Sequence, residues 1–189
     1  LKDLGIKQII SWSGPGAIDR NFVIGQFVII DDLVDETKTR KSTFYVNKGV
    51  GFVRQSPVFC PTLRRLAKVS MESQSFLFSD GGTYVCTEGP RLETPAEIKK
   101  FASYGGDLVG MTLSPEVFLA KELEMCYASI CYVTNYAEGI ENREYIPGEL
   151  FEGLSSDSDR NTVKDSVSNF PVIIETIANV VNNQTLNCK

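Results

Sequence analysis

The sequence predicts an α/β fold, and three observations carry that prediction. β-rich and helical segments alternate between Thr83 and Asn135, the first helical segment is signalled at both ends, and composition fits a packed core. The chain has 189 residues, 42% of them hydrophobic and 23% charged, which suits a single domain.

Thr83-Tyr84-Val85-Cys86-Thr87 is β-rich and breaks at Glu88-Gly89-Pro90. Thr94-Pro95-Ala96-Glu97 then opens a helix, with a Thr cap, Pro at the first helical position and an acid three residues after the cap. Ile98, Phe101 and Ala102 fall on one face, and Gly105-Gly106 ends the helix. Leu108-Val109-Gly110 is a short strand ending at Met111-Thr112. A second helix over residues 115–124 leads into the apolar run 126–133, which ends at Thr134-Asn135. Strand, helix, strand, helix, strand predicts three parallel strands lying side by side. Ligands collect at the carboxyl ends of such strands, here Gly89 to Glu93, Met111-Thr112 and Thr134-Asn135.

Residues 1–5 read as the last turn of a helix closed by Gly5. No initiator Met precedes them, so the chain is expected to start inside a fold. Residues 6–10 form a strand, and Ser11-Trp12-Ser13-Gly14-Pro15-Gly16 is a small-residue turn that lets backbone amides approach a ligand. Residues 27–30 form another strand that ends in solvated Asp31-Asp32. The stretch 33–59 is irregular, basic over residues 38–41, and reads as a long excursion, a hairpin or an inter-subunit arm. Residues 61–72 return to helical spacing through Leu63, Leu66, Ala67 and Val69. Residues 138–159, rich in Gly and acids, read as a mobile lid or loop. A final helix from about Asn161 shows Val163, Val167, Phe170, Ile174, Ile177 and Val181 on one side, with Pro171 kinking it or marking a second start.

Several function classes fall away. The formal net charge of −5, with no outstanding Lys/Arg cluster, argues against a nucleic-acid partner, and no apolar run is long enough to cross a bilayer. The five cysteines show no CxxC spacing, and four sit in or beside apolar runs, so reduced core thiols in a cytoplasmic protein are expected. There is no histidine, which removes a His-based triad, an imidazole general base and a His-containing zinc site together; no metal is expected.

Glu88-Gly89-Pro90-Arg91-Leu92-Glu93-Thr94, then Gly110-Met111-Thr112 with Pro115-Glu116, then Val133-Thr134-Asn135-Tyr136 resemble, in order and spacing, the purine nucleoside phosphorylase and methylthioadenosine phosphorylase family. The resemblance runs from the Ser13-Gly14-Pro15-Gly16 turn to the final helix. It implies an α/β fold with a mixed, barrel-like central sheet flanked by helices, assembled as a homotrimer or a dimer of trimers. The implied reaction is phosphorolysis of a purine nucleoside by inorganic phosphate, a co-substrate, with no cofactor. By the same resemblance Asn135 is the catalytic contact to purine N7 and the 6-substituent, and Gly14, Leu92, Glu93 and Thr134 belong to the base pocket. Met111 lies under the ribose, and Ser13 and Thr112 meet phosphate.

Chemistry refines this expectation. Bond cleavage leaves negative charge on the purine and positive charge on the sugar, so donors to the base must strengthen as charge builds. The Asn135 carboxamide donates to N7 or a 6-oxo group, and the Glu93 carboxylate accepts from the N1–H that 6-oxopurines carry and adenine lacks. On spacing alone Glu93 reads first as an acid capping the helix that begins at Pro95, and Met111 can be core and Thr112 a strand-end cap; with Asn135 present, base recognition is the better reading of Glu93. Family members also carry, ahead of the segment matching Leu1, a Gly-rich strand turn and an Arg-His element that hold most of the phosphate. These are absent from the sequence, so a single domain lacking its N-terminal phosphate-binding portion is expected, with low phosphorolytic activity. Arg91, beside a turn, is expected to serve structure or solvent. A catalytically impaired purine-binding or oligomer-forming homologue is the alternative. The family's usual donor to a 5′-hydroxyl is histidine, so its absence leans the expected substrate towards a 5′-methylthio nucleoside.

Overall fold

In the computed structural model, which describes residues 1–49, 51–142, 147 and 156–181, the strands continue from one half of a bent sheet into the other. The first half has the order β1 (Gln8–Ser13), β8 (Cys126–Tyr132), β3 (Phe27–Ile29) and β5 (Phe78–Asp80). The second has β4 (Asp32–Glu36), β6 (Thr83–Thr87), β7 (Leu108–Gly110), β2 (Gly16–Ala17) and β9 (Asn135–Tyr136). β1 runs into β2 across Gly14-Pro15, β3 into β4 across Ile30-Asp31, β5 into β6 across Gly81-Gly82, and β8 into β9 across Val133-Thr134. Both halves are mixed: β1 pairs parallel with β8 but β3 pairs antiparallel with it, and β6 pairs parallel with β7 but β2 antiparallel.

The two-residue period of the strands shows why the halves belong together. Val28 of β3, Tyr127 and Cys131 of β8, Tyr84 and Cys86 of β6 and Leu108 of β7 all point into one shared interior. The alternate residues point outward. Phe27, Ile29, Ala128 and Ile130 pack under α1 (Pro61–Ser73) and α5 (Phe170–Val181). Val85 and Val109 pack under α2 (Pro95–Ser103). The remaining helices are α3 (Glu116–Glu122) and α4 (Asp157–Ser168). The expected mixed, barrel-like sheet flanked by helices is therefore the architecture observed.

Local signals mostly act as read. At α2, Thr94 accepts from the Glu97 N–H while the Glu97 carboxylate accepts from the Thr94 N–H, a complete capping box. Gly5, at a φ of 80°, closes a short 3₁₀ turn over Lys2–Leu4.

Other expectations change. β6 and β7 are parallel neighbours, but β8 lies in the other half, between β1 and β3, so the three strands are not side by side. β1 reaches Ser13, leaving only Gly14-Pro15 as the bend. The excursion begins later than expected, because Asp32–Glu36 is an edge strand parallel to β6; its acidic residues hide the strand pattern. β5 has three residues, too few to show a period. Two helices replace the single last one, with α4 starting at Asp157 behind a Ser156 cap and α5 at Phe170, so Pro171 marks the second start. Their buried residues are Ser166, Phe170, Ile173 and Ile177, whereas Val167 is exposed. Val69 of α1 is exposed too. Cys86 and Cys131 are buried free thiols, but Cys126 is disulfide-bonded, which corrects the expectation of reduced thiols throughout. Most of the expected lid, residues 143–146 and 148–155, lies outside the described residues.

The packing of α1 predicts a sharp contrast between two of its residues. Leu63→Ala, at a fully buried position, should cost about 2–5 kcal/mol in a denaturant titration. Val69→Ala, on the exposed side of the same helix, should cost less than about 0.5 kcal/mol.

Candidate active site

The bends that join the two halves bring several strand ends to one cleft of about 430 Å³. Ser13, Gly14, Leu92, Glu93, Met111, Thr112 and Asn135 all line it, together with Trp12, Tyr132, Ala137 and Glu138, among others. These residues come from the end of β1 and the bend after it, the loop after β6, the segment after β7, the end of β8, and β9 with the residues after it. The volume falls within the usual range of small-molecule sites.

Thr134 is the one expected site residue that does not line the cleft. Its hydroxyl turns back into the bend, 3.2 Å from Gly14 O, 3.1 Å from Pro15 O and 2.7 Å from Asn135 Oδ1. The single hydroxyl proton is shared among these acceptors, so Thr134 ties the β1–β2 bend to the Asn135 side chain behind the cleft wall. Asn135 Nδ2 also donates to Tyr136 O at 2.8 Å. One N–H and one lone pair of the carboxamide remain for a ligand. Close packing fixes Gly14: a Cβ there would fall 2.6 Å from Thr134 Cγ2 and 3.1 Å from the Tyr132 ring.

Glu93 is a buried carboxylate, 8% exposed, and Thr87 donates to its Oε1 at 2.5 Å. That bond holds the side chain against the cleft rather than over the end of α2, where Glu97 does the capping. Leu92 is half exposed at the rim, and so is Trp12, whose ring packs at a tilt against Phe170 with centroids 5.0 Å apart. On the other side of Glu93 is a smaller, charged recess of about 150 Å³. Its charges are largely paired among themselves, Arg91 with Glu97 and Lys100 with Glu36, so Arg91 has the structural role expected of it. Among the described residues no group of three His, Cys, Asp or Glu could hold a metal ion.

Two residues that organise the site were not picked out from the sequence. Tyr84 reads there only as a strand residue. It is fully buried, and its hydroxyl lies 3.1 Å from Ser13 Oγ and 3.4 Å from Thr112 Oγ1. Gly110 is required beside it, since a Cβ would stand 2.0 Å from the Tyr84 oxygen.

Arg40 is the other. Its guanidinium donates to Met111 O at 2.7 Å, Ser114 O at 2.6 Å, Thr87 O at 3.1 Å and Glu88 O at 3.0 Å. One planar group thus joins the loop that carries Leu92 and Glu93 to the loop that carries Met111 and Thr112. The Glu88 carboxylate fixes the turn that delivers Arg40, accepting from Lys38 N at 2.6 Å, Thr39 Oγ1 at 2.7 Å and Thr39 N at 3.2 Å. Those bonds, the Lys38 amide foremost, hold its carboxyl down at about 2. Nothing in the basic run distinguishes Arg40 from Lys38 or Lys41 as a sequence; its acceptors lie 47 to 74 positions away.

This arrangement predicts that Arg40→Met lowers stability by about 2–3 kcal/mol, as expected for losing charged hydrogen bonds to carbonyls, measured by denaturant unfolding. Glu88 gives a pH test. Its carboxyl is depressed in the folded protein, so its contribution is present above the unfolded value of about 4.3 and is lost as pH falls towards about 2. Glu88→Gln should therefore make the acid-side loss of thermal stability shallower between about pH 4 and pH 2, and leave the profile above about pH 6 parallel to that of the parent.

Residues 1–177 match the family described as the Phosphorylase superfamily. A probable S-methyl-5′-thioinosine phosphorylase of Methanothermobacter thermautotrophicus is 46% identical over 167 residues, covering 88% of this chain and 57% of the relative. The 6-oxopurine nucleoside phosphorylase of Pyrococcus furiosus is 39% identical over 180 residues, covering 92% of this chain and 68% of the relative. The crystallised methylthioadenosine phosphorylase of Schistosoma mansoni, in complex with adenine, superposes with a TM-score of 0.86 at 27% identity, covering 98% of this chain and 69% of that one. The chain thus spans between about half and about two thirds of the length of these proteins. With the family match extending over nearly the whole chain and the strand ends meeting in one cleft, this protein belongs to the phosphorylase superfamily.

Proposed function

We propose that the cleft binds a 6-oxopurine nucleoside together with inorganic phosphate, and that the protein is a pentosyltransferase releasing the free base and a ribose 1-phosphate. The observation that carries this reading is the pairing of two groups in one cleft. Glu93 is a buried acceptor with one oxygen held by Thr87, and Asn135 is a carboxamide with one N–H left over. A 6-oxopurine supplies the complement, an N1–H for the carboxylate and an acceptor at O6 or N7 for the amide. Adenine offers a lone pair at N1, which the carboxylate repels. The names of the Methanothermobacter and Pyrococcus relatives, which specify thioinosine and 6-oxopurine substrates, support the same choice.

Each residue has a part in the reaction under this reading. Asn135 is the catalytic contact: its hydrogen bond to the base strengthens as the glycosidic electrons move onto the purine. Glu93 fixes the base by its N1–H, and Leu92 and Gly14 bound its faces. Met111 lies under the ribose, and Ser13 and Thr112 offer hydroxyls to phosphate, whose charge also stabilises the cationic sugar. Phosphate is the nucleophile, so no covalent enzyme intermediate is needed. The apolar rim of Trp12 and Leu92, with no histidine in the sequence, supports a 5′-methylthio substituent over a 5′-hydroxyl.

The same reading places the protein in the cytoplasm, in purine salvage, as a homotrimer or dimer of trimers. The exposed Phe44, Val46 and Phe52 of the excursion support an inter-subunit arm. No helix among the described residues is long and apolar enough to cross a membrane.

Calorimetric titration with hypoxanthine, guanine and adenine tests the base assignment. Hypoxanthine or guanine should bind more tightly than adenine by about 10²-fold or more, since sites built on a base's own hydrogen bonds reach 10⁴. Glu93→Gln and Asn135→Asp should each shrink that margin. Tighter binding of adenine by the parent protein contradicts the reading. In competition for the same site, methylthioinosine should displace a bound probe at lower concentration than inosine.

A further inference from the structure

Three hydroxyls close on one another at one end of the cleft. Thr112 donates to Ser13 Oγ at 2.8 Å, Ser13 Oγ lies 3.1 Å from Tyr84 Oη, and Tyr84 Oη lies 3.4 Å from Thr112 Oγ1. They come from three stretches: Ser13 ends β1, Tyr84 lies within β6, and Thr112 follows β7. Ser13 and Thr112 border the cleft, and Tyr84 is wholly buried behind them.

Proton counting gives this ring a direction. Each hydroxyl has one proton to donate and lone pairs to accept, so a closed ring of three uses every proton internally and presents none to the cleft. A ligand that can only accept reverses this. Ser13 and Thr112 then turn their protons outward, and the bond between them is lost. The only proton left to face inward is that of Tyr84. Its phenol is suited to keep it, because burial pushes its pKa well above the usual phenolic value. The ring is also locked in the shared interior, with Gly110 packed against its oxygen. A ligand that both donates and accepts, such as a sugar hydroxyl, needs no such reversal.

We propose that Tyr84 is a positioning residue that supplies the inner proton of this ring, so that Ser13 and Thr112 both present donors to the unprotonated oxygens of inorganic phosphate, which can only accept. The identity of the anion rests on the phosphorolysis reading of the same cleft. Without the phenol proton, one of the two cleft hydroxyls turns its own proton inward to its neighbour, and the anion loses one of two donors. Glu93 and Asn135 make no bond to the ring, so base binding is left alone.

Tyr84→Phe keeps the aromatic side chain and removes the hydroxyl. The thermal midpoint is followed as potassium phosphate replaces potassium chloride at constant ionic strength, with and without saturating hypoxanthine. The phosphate concentration giving half the maximal shift should rise about 10- to 100-fold, the loss of one hydrogen bond to an anion, while hypoxanthine affinity stays within about twofold. In a Ser13→Ala background, Tyr84→Phe should add clearly less than it does alone, because it acts through that hydroxyl. A purely structural role would instead weaken base and phosphate together, and that result overturns the proposal. So does an unchanged phosphate dependence, or the absence of a phosphate-specific shift in the parent. Failure of hypoxanthine to bind, with the phosphate difference intact, overturns the purine reading and upholds the ring. Tyr84→Met carries the same comparison should the Phe variant not fold.

Discussion

Four strands cross from one half-sheet to the other, and the geometry of those crossings governs the rest of the molecule. A strand that bends this sharply cannot keep its ladder intact through the bend, so the backbone groups freed there need other partners. At Gly14-Pro15 and Val133-Thr134 they find each other: Thr134 N donates to Pro15 O at 3.0 Å, and the Thr134 hydroxyl reaches the carbonyls of both Gly14 and Pro15. The bond that repairs the bend therefore also aims Asn135 through its Oδ1. Folding the sheet and positioning the amide are one event. The shared interior is what makes the bend worthwhile, since Tyr84, Leu108, Tyr127 and Cys131 bury against each other only if both halves face inward.

The loops after β6 and β7 need a different solution, because they leave the sheet and have no ladder at all. Arg40 provides it by donating to carbonyls on both. Ser114 adds a second tie, its hydroxyl donating to Asp35 at 2.7 Å, and Asp35 sits on the edge strand that leads to Arg40. Glu93 and the Met111-Thr112 pair are thus spaced by a segment that contributes nothing to the cleft lining. Rigid support of this kind is what a site needs if its hydrogen bonds are to discriminate between ligands differing by one proton.

What could be read from the sequence follows from range. The capping box at Thr94 and Glu97, the strand at Thr83–Thr87 and the helix of Pro61–Ser73 are set by neighbours a few residues away, and each was visible. So was the grouping of Leu92, Glu93, Met111, Thr112 and Asn135, because strand ends in an α/β sheet converge and the motifs there share an order with a known family. β4 and β5 were hidden since short strands in a bent sheet show too little alternation, and β4 carries acids. The family resemblance implies Thr134 in the base pocket, and only the bend shows its hydroxyl facing the other way. Tyr84 and Arg40 act through contacts across 28 to 74 positions, which no local pattern encodes.

A crystal structure of this protein with hypoxanthine bound measures the central claim directly. The base should lie in the cleft between Leu92 and Gly14, with N1 within hydrogen-bonding distance of a Glu93 carboxylate oxygen and O6 or N7 within reach of the Asn135 amide, at about 2.7–3.2 Å. A base seated elsewhere, or one in the cleft whose N1 points away from Glu93, would contradict the account.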